Sequence, residues 1–242
     1  MTARSAPDWL TRWEYAHRGL HGAGRPENSL AAAEAAIEAG MGIECDIQRS
    51  KDGEAMVFHD WELERLTDGA GATGELSAEA LGRLSLRENA EPVPTLKALL
   101  DLIAGRVPLL VEIKSKPGYD VVPSCERVCG LLSDYSGEAA VMSFDPRVAE
   151  WVREYAPHLP CGLVMREDRH GYTQTAAERG EALRAAEPDF LAYHVLALPN
   201  ERVTALRAGG LPILTWTVNS PETRATAKAH ADALVSEGEG LG

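Results

Sequence analysis

The chain has 242 residues, of which 45% are hydrophobic and 25% are charged, and its formal net charge is −13. These values suit one globular domain over residues 1–242, and the negative charge argues against nucleic acid or an anionic membrane as a partner, because both bind basic surfaces. No apolar run approaches the roughly 20 residues that a membrane-spanning helix needs.

The amino-terminal residues lack the apolar stretch and small residues that mark a secretory signal, so we expect a cytoplasmic protein. The four cysteines, at positions 45, 125, 129 and 161, do not have the spacing of a zinc site. We expect reduced thiols. Cys125 and Cys129 lie four apart in a helical segment, which is typical of small buried residues on one helix face.

Apolar segments of strand length alternate with longer amphipathic segments along the chain. We expect strands at 13–18, 42–48, 55–59, 108–114, 139–144, 161–165, 190–194, 211–218 and 233–236. We expect helices at 29–39, 95–104, 122–135, 146–155, 176–186, 201–208 and 221–229. Asp145-Pro146 and Ser220-Pro221 are typical helix starts, because a capping side chain precedes a proline at the first helical position.

This order of elements predicts an α/β protein with a parallel sheet, and eight strand–helix units over this length favour a single TIM-like (β/α)₈ barrel. A doubly wound open sheet is the alternative. Nine strands are one too many for the barrel, so we interpret 55–59 as a hairpin partner of the second strand, joined through an Asp-Gly turn. Residues 61–94 are glycine-rich and polar, with one short helical piece at 77–84. We interpret them as an insertion loop over the barrel mouth.

Charged residues and histidines fall near the carboxyl ends of the early strands, where the active site of such a barrel lies. These residues are His17 and Arg18 in the first strand, Glu44 and Asp46 in the second, His59 and Asp60 at the hairpin end, and Glu112 and Lys114 in the strand that follows. The strand residues two apart share one face. A single such residue is usually structural, but so many at ends that the fold brings together indicate one site.

Three carboxylates facing one barrel mouth would raise one another's pKa unless a cation lay among them. Oxygen ligands without cysteine or histidine suit Mg²⁺ or Ca²⁺ better than Zn²⁺. Arg18 and Lys114 supply the positive charge that an anionic phosphate needs. The two remaining side chains, His17 and His59, fit one general base and one general acid.

A series of motifs resembles the glycerophosphodiester phosphodiesterase family. They are HRG at 17–19, PENS at 26–29, GIECDIQRSKDGEAMVFHD at 42–60, LERLTDGAG at 63–71, PTLKALL at 94–100, VEIK at 111–114, SFD at 143–145 and TWTVN at 215–219. Because these motifs follow in the family's order along most of the chain, the match is far more specific than any one of them.

The resemblance implies a TIM barrel that hydrolyses a small glycerophosphodiester, such as glycerophosphocholine or glycerophosphoethanolamine, to glycerol 3-phosphate and an alcohol. It implies that the acid–base pair is His17 and His59, and that the ligands of a divalent metal, Mg²⁺ or Ca²⁺, are Glu44, Asp46 and Glu112. It implies that the substrate-binding residues are Arg18 and Lys114 at the phosphate, Glu27 near the metal or the glycerol hydroxyls, and Trp216 against the substrate. Trp216 fits a core position equally well.

The sequence departs from the family at two places. The last strand ends in LVSEGEG, where the family has a threonine–aspartate pair and a nearby proline, so Ser236 and Glu237 receive no role. The segment LHGAGR adds His21 and Arg25 near the mouth, and we expect both side chains to be solvated.

Two other functions stay open. A phospholipase D-like or lysophospholipid-cleaving enzyme could use the same barrel and metal site, but it would need an apolar mouth, and 61–94 offers few apolar residues beyond Trp61. A non-catalytic barrel that binds phosphodiesters would be expected to lack a histidine or a carboxylate, and none is missing. The sequence leaves open the headgroup, the metal, the assignment of acid and base, attack by water or by the glycerol hydroxyl, and the oligomeric state.

Overall fold

The computed structural model describes residues 6–242, and this part of the chain contains nine strands and eight α-helices. The strands are β1 (Tyr15–Ala16), β2 (Gly42–Arg49), β3 (Ala55–Val57), β4 (Leu109–Ile113), β5 (Ala139–Ser143), β6 (Cys161–Met165), β7 (Phe190–His194), β8 (Ile213–Val218) and β9 (Ala233–Ser236). The helices are α1 (Leu30–Glu38), α2 (Ala78–Leu81), α3 (Leu96–Ile103), α4 (Val122–Ser133), α5 (Pro146–Tyr155), α6 (Ala176–Ala186), α7 (Glu201–Ala208) and α8 (Pro221–His230).

Eight of these strands form a closed parallel barrel. Neighbours follow the order β1-β2-β4-β5-β6-β7-β8-β9, and β9 pairs in turn with β1. β3 is antiparallel to the end of β2, with Ile47 opposite Val57. The prediction of a TIM-like (β/α)₈ barrel with a hairpin on the second strand is therefore confirmed.

Alternation along β2 separates apolar from charged side chains. Ile43, Cys45 and Ile47 belong to the large core between the sheet and the helices. Glu44 and Asp46, which lie between them in the sequence, consequently face the barrel interior. The period-two pattern thus places two carboxylates on the inner face of a single strand.

Apolar side chains fill the amino-terminal half of the barrel interior. Tyr15, Leu110 and Phe190 are fully buried there in one cluster. Leu10, in the short 3₁₀ helix Asp8–Thr11, joins this cluster, and its carbonyl oxygen accepts a 2.9 Å hydrogen bond from the Tyr15 hydroxyl. Among the described residues, the cavity with charged side chains therefore lies at the carboxyl-terminal end of the barrel.

Helix caps agree with the sequence signals. The Asp145 side chain accepts from the Arg147 N–H at the start of α5, and the Ser220 hydroxyl accepts from the Thr223 N–H at the start of α8. In both helices the proline occupies the first turn, where its missing N–H is harmless. The two predicted helix starts are confirmed.

Several elements differ by a few residues in extent from the predictions, and two regions differ most. β1 is two residues long, because only Tyr15 and Ala16 pair with both neighbouring strands, so His17 and Arg18 follow the strand instead of ending it. Residues 61–94 are mostly irregular but enclose their own apolar cluster, which Leu63, Leu81 and other residues form with the hairpin. Their irregular spacing gives no helical or strand period, so the sequence pattern did not reveal this small core.

Two further findings concern membranes and thiols. Within residues 6–242, no helix combines the length and apolar character needed to cross a bilayer. The cysteines at 45, 125, 129 and 161 are buried, and no disulfide joins any of them.

We expect Gly162→Ala in β6 to destabilise the barrel. Gly162 is in register with Phe190 of β7, and the Phe190 ring occupies the space that a Cβ at position 162 would need. Overpacking of this kind costs about 1–3 kcal/mol in the free energy of unfolding, which urea titration would measure. Gly130→Ala in α4 is the control, because no atom outside its chain neighbours and its own helix backbone lies within 4 Å of its Cβ position. That variant should gain about 0.5–1 kcal/mol. Equal stability of the two variants would contradict this packing.

Candidate active site

A cavity of about 660 Å³ opens at the carboxyl ends of the barrel strands. In the part of the chain that the structure describes, every site residue predicted from the sequence except Glu27 lines this cavity. Its deeper wall is apolar and includes Met142 and Val164 of the barrel interior. The fold thus brings groups that are far apart in sequence into one chamber.

Glu44, Asp46 and Glu112, which we call the carboxylate group, lie together in this cavity. One oxygen atom from each residue lies within 4.8 Å of the others. β2 and β4 pair in register, so Asp46 stands opposite Glu112. Each of the three residues is at most 7% exposed. Like charges so close and so deeply buried repel strongly, because little water screens them.

The members of the carboxylate group respond differently to this environment. Burial, followed by the charges of Asp46 and Glu112, raises the pKa of Glu44 well above its ordinary value of 4.5. Burial acts in the same direction on Asp46, but nearby cations, led by Lys114, outweigh it and hold the pKa of Asp46 below 3.8. Glu44 is therefore the carboxylate with too little positive charge nearby.

Lys114 and Arg18 supply the cations. The Lys114 ammonium lies 3.2 Å from Asp46 Oδ1 and donates to Glu112 Oε1 at 2.7 Å. The Arg18 Nε lies 3.2 Å from Asp46 Oδ2, and the Arg18 backbone N–H donates to Glu44 Oε2 at 3.0 Å. Burial disfavours the charged form of both cations, but the carboxylates outweigh burial and raise the pKa of each. Both stay protonated.

His17 is held by a carboxylate from the last strand end. Its Nδ1 lies 2.6 Å from Glu237 Oε2, and the same oxygen lies 3.3 Å from His21 Nε2. Burial opposes ionisation of Glu237, but hydrogen bonds from the two imidazoles hold its pKa below 4.5. His17 Nε2 lies 4.0 Å from Glu44 Oε2. With Nδ1 engaged, Nε2 is the nitrogen that faces the carboxylate group.

His59 is held in the same way from the hairpin side. Its Nδ1 lies 2.6 Å from Asp60 Oδ1, and Asp60 also accepts from Arg65 at 2.8 Å. Burial opposes ionisation of Asp60, but the hydrogen bonds from Arg65 and His59 lower its pKa to about 2. Arg65 also donates to both oxygens of Glu27 at 2.9 Å, and Glu27 accepts from Arg18 at 2.6 Å. Glu27 thus contacts two arginines, and it is not among the described residues that line the cavity.

Trp216 combines the two roles that the sequence left open. Its ring lines the cavity and meets Phe144 edge to face, with the ring centroids 5.4 Å apart. Its indole N–H donates to the Ala192 carbonyl oxygen at 3.1 Å. The side chain is therefore both fixed by packing and available to a ligand.

Sequence reasoning missed several residues of the site. Glu237 stands at the end of β9, where the rule that barrel active sites occupy strand ends could have found it. The expectation that His21 is solvated is wrong, because its side chain is only 26% exposed and contacts Glu237. Asn28 donates to Asp46 Oδ2 at 3.0 Å and has a φ of 58°, which asparagine tolerates better than most residues. Arg65 lies in 61–94, where no periodic signal marks it.

The carboxylate group has the chemistry of a site for a hard divalent cation. All of its donors are oxygens, they converge within 4.8 Å, and Glu44 has too little compensating charge. A divalent cation would supply that charge. The residues therefore fit the metal that the resemblance implies.

Comparisons with known proteins identify the family. The sequence model of the Glycerophosphoryl diester phosphodiesterase family matches residues 17–237. A glycerophosphodiester phosphodiesterase of Caldanaerobacter subterraneus is 30% identical over 234 residues, which cover 92% of this chain and 92% of that protein. A glycerophosphodiester phosphodiesterase of Bacillus subtilis is 30% identical over 230 residues, covering 85% of this chain and 76% of that protein.

A solved structure shares the fold. It is an Oleispira antarctica phosphodiesterase in complex with the product sn-glycerol-3-phosphate, and it superposes with a TM-score of 0.81 at 24% identity. The superposition covers 93% of this chain and 92% of that chain.

We expect Glu44→Gln to stabilise the metal-free protein, and to do so more at higher pH. Because folding raises the pKa of Glu44 above 4.5, the parent protein loses stability as the pH rises from that value through the folded-state pKa. Glutamine does not titrate and escapes this loss. Urea unfolding in EDTA at several pH values between about 5 and 8 would measure the difference.

Added Mg²⁺ or Ca²⁺ should make the parent protein more stable than Glu44→Gln. A ligand at 100 times its dissociation constant stabilises the folded state by about 2.7 kcal/mol, and the parent should gain this while Glu44→Gln gains much less. The control is Glu38→Gln on the exposed face of α1, which should follow the parent throughout. If Glu44→Gln also follows the parent, the repulsion described above is not present.

Proposed function

The chain belongs to the Glycerophosphoryl diester phosphodiesterase family and is a glycerophosphodiester phosphodiesterase, and we propose that it hydrolyses a small glycerophosphodiester to glycerol 3-phosphate and an alcohol with the help of Mg²⁺ or Ca²⁺. The observation that carries the proposal is the convergence of the carboxylate group and two carboxylate-held histidines on one cavity. The Oleispira antarctica phosphodiesterase, which holds sn-glycerol-3-phosphate, supports the assignment of the product.

We assign Glu44, Asp46 and Glu112 as the metal ligands. Oxygen donors alone, with no thiolate or imidazole among them, favour Mg²⁺ or Ca²⁺. The metal, when bound by these residues, would withdraw electrons from the phosphate and so favour attack at phosphorus.

We assign Arg18 and Lys114 to the phosphate. The Arg18 Nε and the Lys114 Nζ each lie 3.2 Å from an oxygen of Asp46. If Asp46 and Glu112 held a metal, the Lys114 ammonium would be free to donate to a phosphate oxygen. Glu27 accepts from the Arg18 guanidinium. We therefore propose that Glu27 positions Arg18 and does not itself contact the substrate.

Proton transfer is assigned to His17 and His59. Hydrolysis adds water across a P–O bond, so one proton must leave the attacking oxygen and one must reach the alcohol. Each histidine has its Nδ1 on a carboxylate, Glu237 or Asp60, which leaves Nε2 to accept or donate that proton. If the neighbouring glycerol hydroxyl attacks in place of water, the same pair serves and a cyclic phosphate forms first.

We expect His17→Ala and His59→Ala each to lower turnover of glycerophosphodiesters by about 10²–10⁴-fold, because each removes one proton-transfer group. Metal binding should be retained, since neither imidazole is a ligand. A nitrophenyl ester of glycerol phosphate has a leaving group that needs no protonation, so it should rescue only the variant that lacks the acid. Release of product with each substrate would measure this.

The control for the histidine pair is His158→Ala, because His158 is an exposed residue whose Nε2 lies 2.9 Å from the Ser133 hydroxyl oxygen. It should keep parental turnover. Near-normal turnover in both site variants would overturn the two-histidine mechanism. A parent protein that binds metal and diesters but releases no alcohol would instead be a non-catalytic binding barrel.

We expect Glu237→Gln to lower kcat by about 10–100-fold with little change in KM, because the charge that orients His17 is lost while the amide keeps its shape. Glu239→Gln is a matched control, since Glu239 is exposed and two residues away. Steady-state kinetics would measure both variants. If the two substitutions have equal effects on kcat, Glu237 does not orient His17.

A further inference from the structure

Two aromatic rings in the cavity wall each carry a cation that belongs to the chain itself. The Lys116 ammonium lies 4.1 Å from the centroid of the Trp61 ring. The Arg166 guanidinium carbon lies 5.5 Å from the centroid of the Trp216 ring. All four residues line the same cavity as the carboxylate group.

Neighbouring groups hold the Trp61 ring and Arg166. Trp61 meets Tyr119 edge to face, with the ring centroids 5.2 Å apart. Arg166 donates to Asp168 Oδ1 at 2.6 Å, and its side chain is 23% exposed. Lys116 is exposed and lies over the Trp61 ring that Tyr119 supports.

The position of these cations matters for the alcohol half of a diester. Proteins bind choline and similar ammonium groups on aromatic faces by cation–π attraction. Here one face of Trp61 and one face of Trp216 already carry a cation, and a second cation at those faces would meet like charge at Lys116 and Arg166. Of the carboxylates at the rim, Asp60 is engaged by His59, whereas Glu62 is exposed and also lines the cavity.

We propose that Lys116 and Arg166 select glycerophosphodiesters whose alcohol carries no positive charge, namely polyols such as glycerol and inositol, over choline and ethanolamine. The inference rests on the proposed hydrolysis of glycerophosphodiesters and adds the substrate class. The ammonium and guanidinium are donors, so they hydrogen-bond to the hydroxyl groups of a polyol and repel an ammonium headgroup.

The test compares kcat/KM for glycerophosphoglycerol and glycerophosphoinositol with kcat/KM for glycerophosphocholine, by release of glycerol 3-phosphate. The parent enzyme should prefer the polyol diesters by about ten-fold, which is about 1.4 kcal/mol. Lys116→Met and Arg166→Met keep an apolar side chain over each ring and remove the charge. Each should reduce the preference about three-fold, and the double variant should abolish it.

Lys97→Met is the matched control, because Lys97 pairs with Asp101 on α3, at 2.7 Å. Its preference should equal that of the parent. A parent that prefers glycerophosphocholine would overturn the proposal, as would Lys116→Met and Arg166→Met variants that lower kcat/KM equally for every diester. Glu62→Gln tests the opposite preference. If this variant selectively loses turnover of glycerophosphocholine, Glu62 binds cationic headgroups and the proposal is wrong.

Failure of the proposed hydrolysis is distinguishable from failure of this inference. If no diester is cleaved, the hydrolytic function is wrong. Calorimetric titration of the same diesters into the metal-loaded protein then still measures the preference. Tighter binding of glycerophosphoglycerol than of glycerophosphocholine would support the selection, provided that Lys116→Met and Arg166→Met weaken this difference. Equal binding of the two diesters by the parent would contradict it.

Discussion

Repulsion among three buried carboxylates is the constraint on which the rest of the site depends. The carboxylate group is at most 7% exposed, and its oxygens lie within 4.8 Å of one another. Such an arrangement persists only if cations lie beside it, and here Lys114 and Arg18 do so. Two apolar cores, one between the sheet and the helices and one inside the amino-terminal half of the barrel, stabilise the fold independently of these charges. They offset the cost of burying the carboxylates.

A series of alternating basic and acidic side chains extends outward from the carboxylate group. Arg18 is held by Glu27, Glu27 by Arg65, and Arg65 by Asp60, which in turn holds His59. This series links the first barrel loop with residues 61–94 and ends on an imidazole. The insertion therefore has a physical reason to pack firmly through its own apolar cluster, since a mobile Arg65 would leave two partly buried carboxylates, Glu27 and Asp60, each without one of its two partners.

Local periodicity made the barrel and the carboxylate group predictable. In β2, strict alternation of apolar and acidic residues fixes which side chains enter the barrel, and the same holds for Glu112 in β4. Glu237 and His21 were not predictable in this way, because their contact joins residues 216 apart and depends on how β9 closes against β1. Barrel closure depends on tertiary contacts between distant segments, and the hydrophobic periodicity of those segments does not reveal it.

Under the proposed function, charge would also couple the binding of the metal and of the diester. The chain has a net charge of −13, but at physiological ionic strength charges beyond about 8 Å are largely screened, so an anionic diester responds mainly to the cavity. There, Lys114 and Arg18 pair with the carboxylate group. Under the proposed function, a divalent cation on those carboxylates would leave both side chains available to the phosphate. Metal and diester would then strengthen each other's binding by the same factor, because linkage between two sites is reciprocal.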